Sequence, residues 1–166
     1  IGAPVPNGTS NKSAPDVAPG TGNPIVYSIS ANTNNANARI PNFTVVERFP
    51  QALGALPPGI TFASVSSGRW NSPADGNVST DMRATIEFTS LPLLPGNYCD
   101  FSTATPLATN IASPGASITY NVPADIPVAA TCMRWVFTDQ GANGPATPRN
   151  FAFTTSPQVR YDVGSS

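Results

Sequence analysis

Histidine is missing from this chain and charge is scarce. Only 8 Lys+Arg and 9 Asp+Glu occur in 166 residues, 10% of the chain, against roughly 25% in ordinary soluble domains. The absence of histidine excludes a His-based catalytic dyad, a histidine metal site and a protonation switch near neutral pH. A net charge of −1 gives no electrostatic footprint for nucleic acid or an anionic membrane surface. No run of about 18 apolar residues is present, so no membrane span is expected, and no basic–apolar–small signal peptide is read. The chain starts at Ile1 rather than Met, as a processed secretory product, an excised fragment or an incomplete gene would. Lys12 is the one lysine, and neither Gly-x-Ser-x-Gly nor Ser-x-x-Lys occurs, so no serine has an activating partner. A non-catalytic protein is expected, with no cofactor.

Cysteine is also sparse. Cys99 and Cys132 are the only two, and their separation fits neither a Cys-x-x-Cys redox pair nor a zinc site. An even number in a chain of this character favours one disulfide formed in an oxidising compartment. Two buried free thiols are the alternative. The two glutamates, Glu47 and Glu87, sit inside strand patterns near Arg48 and Arg83. They are read as exposed strand-face positions carrying cross-strand ion pairs rather than as a facing glycosidase pair.

What the chain does have is proline, glycine and alternation. Gly 13 and Pro 19 stay below the level at which composition alone implies disorder, and 40% hydrophobic residues suffice for one core at this length. Residues 1–24 hold Pro4, Pro6, Pro15, Pro19 and Pro24 with few large apolar side chains, so they read as an extended arm. From Ile25 onward apolar residues recur with period two: Ile25, Tyr27 and Ile29; Phe43, Val45 and Phe49; Ala84, Ile86 and Phe88; Ile118, Tyr120 and Val122; Met133, Trp135 and Phe137; Val159, Tyr161 and Val163. That is the signature of half-buried strands. Turn clusters at 56–59, 71–77, 94–97, 113–115 and 141–145 combine Pro with residues that tolerate positive φ. The expected fold is all-β: residues 25–166 form an antiparallel two-sheet Ig-like sandwich of seven or eight strands, preceded by the arm. Its core is expected from Tyr27, Ile29, Phe43, Val45, Phe62, Ile86, Phe88, Tyr120, Trp135 and Phe137.

Binding signals are modest. Asp75-Gly76-Asn77 with Asp81 offers loop oxygens of the kind calcium takes, without the alternating acidic pattern of an EF-hand, so a plain turn is favoured and no metal is assigned. Sequons stand at Asn7, Asn11, Asn42 and Asn77, about as many as chance placement gives, and they matter only in a host that glycosylates secreted proteins. Trp135 lies on an apolar parity and is read as core. Trp70, after Ser66-Ser67-Gly68-Arg69, is read as a loop residue and the better candidate for stacking on a glycan ring.

The run Tyr27-Ser28-Ile29-Ser30-Ala31-Asn32-Thr33, then Phe43 to Pro50, then Leu56-Pro57-Pro58-Gly59-Ile60-Thr61-Phe62-Ala63-Ser64 resembles the Ig-like conserved repeat of bacterial cell-surface proteins, a domain of unknown function. The likeness spans residues 25–66, with Glu47 and Phe49 where that family carries Asp and Leu. It implies an extracellular, structural module that is secreted or held at the cell surface. Together with the arm and the low charge, it leads to the expectation of a subunit in a self-assembling filament or layer, a homo-oligomer joined by strand addition between copies. The alternative is an adhesive or ligand-binding module whose loops 68–81 and 140–148 make the contact.

Overall fold

The computed structural model describes residues 8–13, 22–33, 42–70, 82–139 and 151–164. The alternating segments become strands, and two antiparallel sheets pack face to face as a sandwich. In chain order the strands are β1 (Gly8–Ser13), β2 (Ile25–Thr33), β3 (Asn42–Arg48), β4 (Ile60–Ser66), β5 (Arg69–Trp70), β6 (Met82–Thr89), β7 (Thr105–Ala112), β8 (Thr119–Asn121), β9 (Cys132–Asp139), β10 (Phe153–Thr155) and β11 (Gln158–Val163). Among the described residues the one helical element is a 3-10 turn, Pro50–Ala52. The first sheet runs β1-β2-β11-β4-β8, the second β3-β9-β6-β7, and β5 with β10 forms a short ribbon.

β9 organises the second sheet. Its inward residues Met133, Trp135 and Phe137 are fully buried. In register beside Trp135 stand Ile86 of β6 and Val45 of β3, so apolar side chains line up across three strands. The first sheet answers with Ile29, Ala31, Phe62, Val65, Val159 and Tyr161. Phe62 and Val65 are three apart, which strict alternation would place on opposite faces. A register shift between β11 and β4 (Arg160 opposite Ser64, Tyr161 opposite Phe62) inserts an extra residue at Ala63, and this bulge turns both side chains inward.

Two aromatic groups fill the interior. Near the ribbon Phe151 lies 4.9 Å from Phe43 and 4.4 Å from Phe137, and Trp70 lies 5.2 Å from Phe137, between ring centroids. Toward the other end, Phe49, Phe62 and Tyr161 stack at 4.8 and 5.4 Å, and Tyr27 meets Tyr161 edge-on at 6.0 Å. Eight of the ten expected core residues are buried, while Tyr27 and Phe43 are half-buried and packed against the core.

Trp70 departs from its expected place. It is 2% exposed, lies in β5, donates its indole N–H to the Met82 carbonyl at 2.8 Å and packs edge-on against Phe137. The reason is the turn before it. Gly68 adopts φ +69°, and a Cβ there would stand 2.6 Å from the Thr155 carbonyl oxygen, so only glycine lets the chain fold back under β10. Trp70 is a core residue and offers no platform for a glycan.

Candidate functional site

Along one side of the sandwich the edge strand of each sheet comes together, β1 from the first and β3 from the second. β1 continues its own chain's first sheet: Gly8 to Ser13 pair with Thr33 to Ser28 of β2 over six consecutive positions. Lys12 lies opposite Ile29, a buried residue of β2, so its side chain shares the inward parity. On β3 the inward parity is Phe43, Val45 and Glu47, and the outward one is Asn42, Thr44, Val46 and Arg48.

This alternation brings Lys12 and Glu47 together from opposite sheets. Lys12 Nζ donates to Glu47 Oε1, lies 3.5 Å from the Arg48 carbonyl oxygen and stands 5.0 Å from the centre of the Tyr27 ring. Glu47 is only 5% exposed. It is therefore a buried carboxylate rather than the exposed strand-face residue its flanking charge implied. Burial pushes its pKa up, while the hydrogen bond and charge of Lys12 and the charge of Arg48 work in the opposite direction. The neighbouring Tyr161 hydroxyl donates to Gln51 Oε1. Its pKa is raised by burial first, then by the charge of Glu47 and by Tyr27.

Glu87 is placed otherwise. It sits directly opposite Arg134 and accepts from its Nε at 2.5 Å, a cross-strand ion pair of the kind expected for it. Glu47 faces the interior and Glu87 the outer surface of the same sheet, so these two carboxyls do not flank a common cleft. Among the described residues no group of three or more His, Cys, Asp or Glu could hold a metal ion.

β3 is a regular edge. It matches β9 without a break from Asn42↔Thr138 to Arg48↔Cys132. The Phe49 N–H donates to the Thr131 carbonyl, so alternation directs the backbone groups of Asn42, Thr44, Val46 and Arg48 away from β9. The opposite edge strand β7 carries two register shifts, Pro106 and a positive φ at Asn110, devices that blunt an edge.

Cys99 and Cys132 form a disulfide, with Cα atoms 6.0 Å apart. The bond pins residues 90–104 over the outer face of the second sheet. Arg48 Nη1 donates to the Asn97 carbonyl at 2.8 Å, Thr131 Oγ1 donates to the Leu91 carbonyl at 2.7 Å, and the Arg134 guanidinium lies 4.3 Å from the Phe101 ring centre. A tight turn closed by Leu94 N–H to the Tyr98 carbonyl leaves Tyr98 70% exposed, with Leu94 and Val46 also exposed.

Of the sequons, Asn42 is exposed at the start of β3 and Asn11 lies within β1. Asn7, Asn77, the oxygen-rich segment 75–81 and the loop 140–148 lie outside the described residues. No helix among the described residues is long and apolar enough to cross a membrane. No protein-family model, curated protein or solved structure matches this chain.

Proposed function

We propose that this chain is a non-catalytic structural subunit of an extracellular filament or layer, built by association of identical copies along their sheet edges through the N-terminal arm. One observation carries the reading. A polar edge strand, β1, stands beside a long regular edge, β3, and among the described residues no further strand pairs with either; regular edges are where chains add to one another. The disulfide fits an oxidising environment. The scarcity of charge leaves little long-range repulsion between copies, and the resemblance of residues 25–66 to a surface-protein repeat points the same way.

The test is the state of the purified chain, read by light scattering and electron microscopy across a concentration series. Regular filaments or sheets are expected from the full chain, and a folded monomer from a chain lacking residues 1–24. A full chain that stays monomeric at every concentration would overturn the assembly reading. If the shortened chain builds the same particles, the arm is not the joint.

A second reading has its own observation. The turn at Leu94–Tyr98, held by the disulfide and by Arg48, displays an exposed tyrosine and leucine on a rigid base, as an adhesive module would. Loss of affinity for a captured surface partner on Tyr98→Ala, in a monomeric protein, would favour it.

A further inference from the structure

We infer that the groove beside β2 is a docking site for β1 of a second copy, and that Lys12 and Glu47 form the lock that sets its register. The inference rests on the assembly reading above and names the surface and partner that reading leaves open.

The sequence of β1, Gly8-Thr9-Ser10-Asn11-Lys12-Ser13, contains no apolar side chain, so withdrawing it removes nothing from the hydrophobic core. Among the described contacts, it is held by the backbone ladder to β2 and by the Lys12 ammonium, which meets Glu47, the Arg48 carbonyl and the Tyr27 ring. Both can be supplied equally by an identical strand from another molecule. Exchange of an identical element conserves every contact, and concentration then decides between the closed and exchanged forms. Eleven residues, 14–24, join β1 to β2. Fully extended they reach about 36–40 Å, enough to carry β1 to a neighbour instead of back to its own sheet. Gly22 at φ +74° provides a turning point where this connection joins β2.

The lock supplies specificity. A buried carboxylate left without its cation is strongly unfavourable, so a strand entering this groove must bring a cation opposite Ile29. A slip of one residue would turn that cation to the outer face. The chain's single lysine stands at that position. The groove is therefore matched to one ligand, the Gly8–Ser13 segment of this same protein.

Two chains that each carry one added cysteine give the direct test. Asn11 and Ser30 are partners across the β1–β2 ladder. Asn11→Cys chains are mixed with Ser30→Cys chains, allowed to assemble and oxidised. Exchange predicts a covalent pair containing one of each chain. Lys12→Glu and Glu47→Lys variants give a second measure. Each alone should assemble at least tenfold less than the parent, and the equimolar mixture should recover, because only docking between unlike chains restores opposite charges at the lock. The Lys12→Glu/Glu47→Lys double variant checks that reversed charge is compatible with folding. Assemblies that form without the mixed cross-link would overturn strand exchange while leaving the assembly reading in place. Absence of assemblies, with a bond forming only within a doubly substituted Asn11→Cys/Ser30→Cys chain, would overturn both.

Discussion

Glu47 is the residue whose environment the sequence disguised. Its neighbour Arg48 invites an exposed ion pair, yet Glu47 shares parity with Phe43, Val45 and Phe49, and that parity faces the interior. A carboxylate on an apolar parity needs a cation from elsewhere, and the single lysine was the signal that could have named it. Because burial raises its pKa above 4.5, the folded chain holds this proton more tightly than the unfolded chain does. The resulting contribution to stability is present at low pH and is lost as pH rises through the folded value. The groups that act on it are Lys12 on β1, Tyr161 on β11 and, from the outward parity of its own strand, Arg48, with Tyr27 of β2 beside Lys12 and Tyr161. Urea unfolding from neutral pH toward 4.5 should show the parent gaining stability relative to Glu47→Gln, and a pH-independent difference would contradict the assignment. Tyr120 presents a different imbalance. Its ring is buried, and its hydroxyl has no hydrogen-bond partner among the described residues. Tyr120→Phe should leave stability unchanged or raise it by up to about 1 kcal/mol in chemical denaturation, since no bond is lost and a desolvated hydroxyl is removed.

At the level of elements, strands with clean alternation were legible and those broken by bulges or short turns were not. β9 reads directly from Met133, Trp135 and Phe137, and its central place makes Trp135 a severe site. Trp135→Ala should cost about 3–5 kcal/mol, and an unchanged melting temperature would mean the strand faces the other way. β7, with Pro106, Asn110 and mostly exposed or half-buried positions, carries too little apolar contrast to be read as a strand. β5 is two residues long and pairs with β10 some 80 positions later, so Trp70 resembled a loop residue until its partner was in place. The cysteine pair was legible as a candidate bond, but its role was not. The bond holds the 90–104 segment against the second sheet by spanning 33 positions. Replacing both cysteines by serine should cost roughly 3–4 kcal/mol by the loop-closure argument, visible as a lower denaturant midpoint.

For the molecule as a whole, period-two patterning announced two antiparallel sheets, whereas the order of strands depended on pairings that no local signal encodes. The last strand, β11, inserts between β2 and β4, and its partners lie about 100 or more residues earlier in the chain. That insertion has a mechanical consequence. Ser13 and Gln158 both lie opposite Ser28, with β1 running from there toward Thr33 and β11 toward Ile25. Gly8 and Val163 therefore sit at opposite ends of the first sheet. Tension applied between them loads the ladders of β2 in shear, so many hydrogen bonds share the force at once. Pulling between Gly8 and Thr33, which are direct partners, would instead peel β1 away one bond at a time. Single-molecule force spectroscopy should record a markedly higher rupture force for the first geometry than for the second.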